Sequence, residues 1–306
     1  ARATLAFAIF YMVVNIGSLL GRGIAYVVRT SFDLSFIFAV AVGSAIVAFV
    51  LVALLYRDPV AVMPAVARPR RSIGRILLDM VLVVKNVRFA LFLVVSSGFW
   101  FLYSQVYNVL PLYLKHVVEL EPAVDLYTMA NPITIVLFQL LVTKVFGRMR
   151  PIRSIVVGAL IISAAMLLNI VPAIVGGVRE PVAGLIPLGA VMVILTVAMI
   201  AFGELFTSAR TYEYIGALAP KGQEGLFLGY ANLPMAIGSL IGGPVGAALF
   251  HEVICHDART LDNGLLALDP FWSSVGWMLL VVIGLITALG LWLYNRWLAR
   301  LEAAEG

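Results

Sequence analysis

The sequence predicts an all-α integral membrane protein with eight transmembrane helices. Of its 306 residues, 62% are apolar and 12% are charged, whereas a soluble domain is about half apolar and about a quarter charged. Mean hydropathy is +1.05, and the runs 36–56 and 155–175 contain no charged residue. Because the hydrocarbon core has no water to pair with backbone groups, continuous apolar runs of this length cross it as helices.

Eight segments meet this criterion, and their continuous rather than alternating apolar pattern favours helices over barrel strands. They are Leu5–Val28, Phe36–Tyr56, Phe89–Leu114, Leu126–Phe146, Ile155–Val175, Leu188–Leu218, Gly225–Phe250 and Phe271–Arg296. An even number of spans places both ends of the chain on the same side of the membrane.

Positive charge is concentrated on one side of these spans. Fifteen of the 21 lysines and arginines lie at Arg2, in the 57–88 connection, between 144 and 153, at Lys221 or between 296 and 300. The opposite loops contain nine of the 16 acidic residues. The positive-inside rule therefore predicts a multi-pass protein of the cell membrane with both termini cytoplasmic, and it explains the formal charge of +5 without a nucleic-acid partner.

The 57–88 connection divides the chain into two groups of spans. Its three prolines precede Ser72, after which Ile73, Ile76, Leu77 and Met80 follow helical spacing. This pattern predicts a linker followed by an interfacial amphipathic helix. The expected organisation is two spans in 1–56, a linker in 57–88, a six-helix bundle in 89–300 and a short tail in 301–306.

Ionisable residues inside spans are costly and commonly functional, and the sixth span contains Glu204, Arg210 and Glu213. Arg210 and Glu213 lie three residues apart on one helix face, so either they neutralise each other or Glu213 binds a ligand or a proton. Glu204 lies nearer the middle of the span, where its carboxyl must be protonated, hydrogen-bonded or paired with a cation. A proton-coupling role follows for Glu204 if the protein uses protons.

Polar residues also follow helical faces in other spans. Tyr11, Asn15, Ser18 and Arg22 form a stripe on the first span, which indicates either a cavity wall or interhelical hydrogen bonding.

The third span contains Trp100, Ser104, Gln105, Tyr107 and Asn108, a set that suits a hydrated cavity. Asn131-Pro132 lies near the outer end of the fourth span, where the asparagine is either a local cap or a group of the binding cavity. Asn232, Pro234 and the glycine-rich run 238–244 in the seventh span predict a gating hinge or close packing.

Other chemistries have little support in the sequence. Cys255 is the single cysteine, and although His251 and His256 lie near it, no further ligands make a metal site there. Paired histidines within spans, Gly-x-Ser-x-Gly and clustered metal ligands are absent from the sequence, so an enzyme is not predicted. We expect no cofactor and no bound metal.

Several of these segments together resemble the proton-dependent oligopeptide transporter family of the major facilitator superfamily. The segment 10–19 resembles the family's fifth helix, Phe99-Trp100 with Gln105 its seventh, and Asn131-Pro132 its eighth. The segment 203–220 resembles the tenth-helix signature, and Gly229-Tyr230 takes the place of a Gly-Trp pair on the eleventh. The chain then corresponds to helices five to twelve of a twelve-helix carrier, a partial major facilitator fold without the four preceding helices.

The resemblance implies proton-coupled symport of small peptides or peptide-like solutes by alternating access, with roles for ten residues. It implies that Glu213 meets a substrate ammonium group, that Asn15 and Asn131 bond amide or carboxylate groups, and that Trp100 and Tyr230 form side-chain pockets. Glu204, Arg210, Arg22, Gln105 and Pro234 are the residues expected to serve proton coupling or gating. The expected partners are a peptide or other small molecule, protons and the lipid bilayer, and the oligomeric state stays open.

Two departures from the family pattern leave alternatives. The acid that the family has near Ser104 is missing, and Arg210-Thr211-Tyr212 replaces a small uncharged stretch. A carrier of another solute, such as a drug, a sugar or an organic anion bound by Arg210 or Arg22, is therefore the first alternative. A degenerate or structural membrane subunit is the second.

Overall fold

The computed structural model describes residues 2–33, 35–57, 85–220 and 223–305. Within these residues, eight helices are long and apolar enough to cross a membrane. They are span 1 (Ala8–Ser31), span 2 (Phe36–Leu55), span 3 (Val87–Val118), span 4 (Val124–Phe146), span 5 (Pro151–Val175), span 6 (Leu188–Leu218), span 7 (Glu224–Ile254) and span 8 (Pro270–Leu301). The predicted fold class and all eight spans are confirmed. The linker and its expected amphipathic helix fall mainly in 58–84, outside the described residues.

Four spans are continuous α-helices, and four are interrupted. The continuous helices are α1 (Arg2–Ser31), α2 (Phe36–Leu55), α9 (Leu188–Leu218) and α12 (Pro270–Glu305). Span 3 comprises α3 (Val87–Ser104), α4 (Val109–Tyr113) and a π-helical turn, Leu114–Val118. Span 4 comprises α5 (Val124–Thr128) and α6 (Ala130–Phe146), and span 5 comprises α7 (Pro151–Ala165), a 3₁₀ turn (Met166–Ile170) and α8 (Val171–Val175). Span 7 comprises α10 (Glu224–Leu228), α11 (Leu233–Ala248) and a π-helical turn, Leu249–Ile254.

Two small antiparallel hairpins connect spans on the side predicted to be outside. One pairs β1 (Pro181–Val182) with β2 (Ile186–Pro187), and the other pairs β3 (Arg259–Thr260) with β4 (Leu266–Ala267). Gly184 and Gly264 occupy left-handed backbone positions in their turns, a conformation that glycine adopts without a steric penalty. These hairpins form short loops between spans 5 and 6 and between spans 7 and 8.

The apolar core lies within the last six spans. Its largest fully buried side chains include Phe89, Phe92 and Phe99 on α3, Phe250 at the end of span 7, and Trp277 on α12. Serine side chains make hydrogen bonds between helices in this core: Ser163 Oγ donates to the Val281 carbonyl at 2.7 Å, and Ser154 Oγ donates to the Phe206 carbonyl at 2.7 Å. Buried hydroxyls are thus satisfied by backbone carbonyls of neighbouring helices.

Small residues allow two helix pairs in this core to approach closely. A side chain at Gly158 on α7 would meet the Gly203 carbonyl oxygen at 2.6 Å, and one at Gly203 on α9 would meet the Gly158 carbonyl oxygen at 2.9 Å. On α11, a Cβ at Gly238 would lie 2.5 Å from the Ser97 carbonyl oxygen of α3. Such contacts are the usual means of helix association in lipid. They fix α9 against α7 and α11 against α3.

Spans 1 and 2 differ from the other six in their burial. Helix α2 has no buried residue, whereas α1 packs along α6 and buries Ala8, Asn15 and Val28. Span 1 therefore brings its polar stripe against spans 4 and 6. The division of the chain into two bundles, with the first in 1–56, stays a prediction.

Candidate functional site

A buried carboxyl group forms the centre of the polar residues within the spans. Glu204 on α9 is 3% exposed. The Tyr11 hydroxyl of α1 donates to Glu204 Oε1, and Asn131 Nδ2 of α6 donates to Oε2 at 3.2 Å. Ser208 Oγ, one turn along α9, lies 3.5 Å from Oε1. One carboxyl thus joins span 1 to spans 4 and 6, and we call Glu204, Tyr11, Asn131 and Ser208 the carboxyl cluster.

Aromatic residues of α3 border the carboxyl cluster. Tyr103 lies near Glu204, and the Tyr103 and Tyr107 rings are 6.3 Å apart. Trp100 is buried, and its ring meets that of Tyr103 edge-on at 5.3 Å. Trp100 and Tyr103 therefore form an aromatic wall beside the carboxylate.

Asn15 lies one helical turn from Tyr11 on α1. Its side chain is 7% exposed, and its Nδ2 donates to the Tyr11 carbonyl oxygen at 2.9 Å. Its position beside Tyr11 places it next to the carboxyl cluster. Four of the ten residues singled out from the sequence therefore come together: Asn15, Trp100, Asn131 and Glu204.

Arg22 extends the span 1 stripe toward the outer side. Its guanidinium donates to the Thr128 carbonyl oxygen at 3.0 Å and to the Tyr107 hydroxyl at 3.1 Å. Within the described residues it forms no ion pair, so its charge is balanced by neutral acceptors only. Further along α1, Arg29 pairs with Asp125 at 3.1 Å. Span 1 and the start of span 4 are therefore joined at the predicted outer side by two arginines.

Arg210 and Glu213 form a separate pair nearer the predicted cytoplasmic end. Arg210 NH1 lies 2.6 Å from Glu213 Oε2, and NH2 donates to the Phe146 carbonyl oxygen, at the end of α6, at 3.2 Å. Arg210 is 6% exposed, whereas the Glu213 side chain is 38% exposed. Nine residues separate Glu213 from Glu204, about 13.5 Å along a helix. Arg210 thus neutralises Glu213 and caps α6, and the pair lies apart from the carboxyl cluster.

Gln105 lies where span 3 is interrupted. It is fully buried, and its Nε2 donates to the Phe101 carbonyl oxygen at 2.8 Å and to the Gly242 carbonyl oxygen of α11 at 3.3 Å. Its Oε1 is buried and has no hydrogen-bond partner in the described part of the chain. Gln105 therefore connects the broken region of span 3 to the glycine-rich region of span 7.

Tyr230 and Pro234 lie at the interruption of span 7. Pro234 is buried in the first turn of α11, a position where its missing N–H removes no helical hydrogen bond. The ring of Tyr230 packs edge-on against Phe89 at 6.2 Å, near the start of α3. Tyr230 is thus placed beside the end of span 3, and the structure does not bring it into the carboxyl cluster.

Three residues of this region went unassigned in the sequence analysis. Tyr11 was recognised only as part of a stripe, and Tyr103 and Ser208 were not selected. Ser208 is one turn from Glu204, and this i, i+4 spacing is a signal that could have identified it. Tyr103 has no such signal, because its relation to Glu204 depends on how α3 packs against α9.

Metal-ligating residues do not cluster in the described ranges: no group of three or more His, Cys, Asp or Glu is placed to hold an ion. His256 lies beside Asp257, with 3.3 Å between Nδ1 and Oδ2, in the loop after span 7. The donors in the carboxyl cluster are a hydroxyl, an amide and a second hydroxyl. This set suits hydrogen bonding to a carboxylate or to a polar organic solute.

Comparison with known proteins identifies the superfamily. The model of the Major Facilitator Superfamily matches residues 1–213. No match was found among curated proteins.

Solved peptide transporters have a similar fold. A mutant of the peptide transporter POT has a TM-score of 0.60 and 16% identity, with 96% of this chain and 68% of that chain covered. A bacterial homologue of the human drug peptide transporters PepT1 and PepT2 has a TM-score of 0.58 and 17% identity, with 98% and 71% covered. The tetrameric PepTSo2 has a TM-score of 0.57 and 17% identity, with 97% and 71% covered. This chain thus spans about two thirds of the length of these transporters, and 53% of another POT structure.

The superfamily match covers more than half of the chain, and the eight spans agree with it. The fold implied by the resemblance is also the fold of the peptide transporters that match. The chain is a multi-pass membrane protein that belongs to the major facilitator superfamily.

Proposed function

We propose that this protein is a secondary active transporter of the oligopeptide type that imports small peptides, or peptide-like solutes, together with protons. Transport proceeds by alternating access, in which two helical bundles move about a site near the middle of the membrane. In this scheme spans 1 and 2 belong to the first bundle, and spans 3 to 8 form the second. Both termini of the chain face the cytoplasm.

The observation that supports coupling is the position of the Glu204 carboxyl group between span 1 and spans 4 and 6. As a carboxylate it accepts hydrogen bonds from Tyr11 and Asn131, and no lysine or arginine in the described residues lies within ion-pair distance. A proton on Glu204 would remove the charge that attracts these donors and convert one oxygen into a donor. Proton binding would thereby change the contact between the bundles.

The same site suits a peptide backbone. In our proposal Glu204 receives the ammonium group of the substrate, and the Asn15 and Asn131 side chains bond its amide or carboxylate groups. Trp100 and Tyr103 provide an apolar wall for a side chain. We assign the ammonium group to Glu204 rather than to Glu213, the residue that the family resemblance implies, since Arg210 already neutralises Glu213. Tyr230, which lies beside Phe89, contributes less directly in this scheme.

Uptake of labelled di- and tripeptides into proteoliposomes tests the proposal. An inward proton gradient should accelerate uptake relative to vesicles with equal pH on both sides, and an ionophore that collapses the gradient should remove the difference. Uptake that is indifferent to the gradient would overturn the coupling. Absence of peptide uptake under all conditions would overturn the substrate class.

A second candidate, transport of an organic anion, is favoured by Arg22. Its guanidinium has only neutral acceptors, Thr128 O and Tyr107 Oη, within the described residues. Arg210, in contrast, is already paired with Glu213. If the protein carries organic anions, the Arg22→Gln variant should lose uptake of a labelled organic anion. If it carries peptides, the unsubstituted protein should take up peptides in preference to that anion.

A further inference from the structure

A groove of about 350 Å³ lies on the surface of the second group of spans, between α7 and α12, which pack against each other. Five aliphatic side chains and one tryptophan line it: Val156, Leu160, Leu285, Ala288, Leu289 and Trp292. Leu160, Leu289 and Trp292 are 44%, 54% and 43% exposed, so the described residues leave the groove uncovered. An open apolar groove on a membrane-spanning helix pair suits a hydrocarbon chain.

Two arginines lie at one end of this groove. Arg153 precedes Val156 by three residues on α7, so both lie on one helix face. Arg296 follows Trp292 by four residues on α12, and its guanidinium carbon lies 4.7 Å from the centre of the tryptophan ring. This cation–π distance keeps the Arg296 charge beside the groove. Helix α7 begins and α12 ends at the predicted cytoplasmic side, so both arginines belong to that end.

The charge of these two arginines indicates what the groove binds. Both side chains are exposed, and neither has an acidic partner in the part of the chain that the structure describes. The acyl chains of different phospholipids are equally apolar, so any preference among lipids must come from the headgroup. A second copy of this chain on the same surface would bring like charges together, which is unfavourable. The arginines therefore favour an anionic lipid over a partner protein.

We propose that this groove binds an anionic phospholipid, with an acyl chain between α7 and α12 and the headgroup phosphate on Arg153 and Arg296. The guanidinium group presents a planar fork of N–H donors that matches the phosphate oxygens. Basic pockets between transmembrane helices on the cytoplasmic side are typical sites for such headgroups. The site shares no residue with the carboxyl cluster, so it does not depend on the proposed function.

Quenching of Trp292 fluorescence by brominated lipids tests the proposal. The protein is reconstituted in vesicles of equal parts phosphatidylcholine and phosphatidylglycerol, with bromine on the acyl chains of one lipid at a time. Trp292→Phe, measured in parallel, gives the part of the signal that comes from Trp292. The ratio of quenching by the two brominated lipids reports the preference of the site, whatever the brightness of the tryptophan.

The test variant is Arg153→Gln/Arg296→Gln. Its matched control, Lys144→Gln/Arg148→Gln, removes the same charge from exposed positions on the same predicted side, and neither of these residues lines the groove. The control therefore separates binding at the groove from a general attraction of anionic lipid to the basic surface.

In the unsubstituted protein and in the control, brominated phosphatidylglycerol should quench Trp292 more strongly than brominated phosphatidylcholine. Each arginine should contribute about a fivefold preference, which corresponds to roughly 1 kcal/mol for one basic residue near anionic lipid. The ratio should fall to about one in Arg153→Gln/Arg296→Gln.

Three results would overturn the proposal. The first is equal quenching by the two lipids in the unsubstituted protein. The second is absence of Trp292 quenching by either lipid, which would indicate a protein partner over the groove. The third is a preference that persists in Arg153→Gln/Arg296→Gln, or that the control loses to the same extent.

Discussion

At the scale of single residues, Glu204 and Glu213 show how the same side chain takes different roles on one helix. Glu204 is surrounded by neutral donors, whereas Glu213 has a guanidinium 2.6 Å away. The charge of Glu213 is therefore balanced by a cation on the same helix, whereas the Glu204 carboxyl has only hydroxyl and amide partners in the described residues. Proton exchange therefore belongs to Glu204 in the proposed mechanism, and charge neutralisation to the Arg210–Glu213 pair.

Replacing each glutamate by glutamine tests this distinction. Glu204→Gln keeps the size of the side chain and one acceptor oxygen but cannot bind a proton, so gradient-driven uptake should fall by at least about a hundredfold. Glu213→Gln should retain driven uptake within a few-fold, because Glu213 is partly exposed and lies outside the carboxyl cluster. Greater sensitivity of driven uptake to Glu213→Gln than to Glu204→Gln would contradict the assignment.

A second prediction at this scale concerns Cys255, which follows the end of span 7. Burial of the thiol raises its pKa to about 11. Only the thiolate reacts with maleimides, so labelling should be slow at neutral pH and should accelerate about tenfold per pH unit until it levels off near pH 11. Labelling rates that level off near pH 8.5, the ordinary range of a cysteine, would contradict this environment.

Sequence reasoning identified Glu204, Asn131 and Asn15, because polar groups within apolar spans are expensive and therefore conspicuous. It could not decide between the alternatives for Arg210 and Glu213, since the second bond of Arg210 is made to the Phe146 carbonyl of another helix. Nor could it identify Tyr103. Contacts between residues on different spans depend on helix rotation and packing, and one sequence does not record these.

At the scale of elements, hydropathy located all eight spans but missed their interruptions. Residues 105–108 in span 3 and 229–232 in span 7 form turns between helical segments. A hydropathy profile detects only how long and how apolar a segment is, and the interrupted spans are long and apolar enough to be detected as single segments. Gly229 and Pro234 were local signals for the break in span 7, whereas Gln105 gave none. Its importance arises from the glycine-rich surface of α11 that packs against it.

The contact between α3 and α11 can be tested with two glycines on the same helix. A Cβ at Gly238 would lie 2.5 Å from the Ser97 carbonyl oxygen and 2.6 Å from the Phe101 amide nitrogen, both backbone atoms. Gly238→Ala must therefore separate the helices, at a cost of about 1–3 kcal/mol. At Gly243, the nearest atom would be Asn108 Oδ1 at 3.9 Å, so Gly243→Ala has no steric cost and gains helix propensity.

Thermal unfolding in detergent should show a lower melting temperature for Gly238→Ala and an equal or higher one for Gly243→Ala. Because α3 contains Trp100 and Tyr103, Gly238→Ala should also weaken peptide uptake. Equal melting temperatures for the two variants would mean that the helices separate without cost and would contradict the close approach.

At the scale of the whole molecule, span 1 contacts the second group of spans at two places, and in the proposed mechanism these two groups move relative to each other. It contacts the second group of spans at the carboxyl cluster through Tyr11 and at the predicted outer side through Arg29–Asp125. The outer ion pair is partly exposed on both sides, so it contributes at most about 1 kcal/mol. In the proposed mechanism this weak contact breaks in each transport cycle, and the hydrogen bonds of the carboxyl cluster change when Glu204 binds a proton.

Engineered cysteines can determine which side of the membrane each loop occupies, and this side fixes the direction of proton entry in the proposed mechanism. Asp262 lies exposed between β3 and β4, and Arg148 lies exposed between α6 and α7. In a Cys255→Ser background, Asp262→Cys should react with a membrane-impermeant maleimide on intact cells, and Arg148→Cys should react only after permeabilisation. The asymmetry of positive charge is the physical reason, since loops rich in lysine and arginine stay in the cytoplasm. The reverse labelling pattern would contradict the predicted topology and would place the loop between β3 and β4 in the cytoplasm.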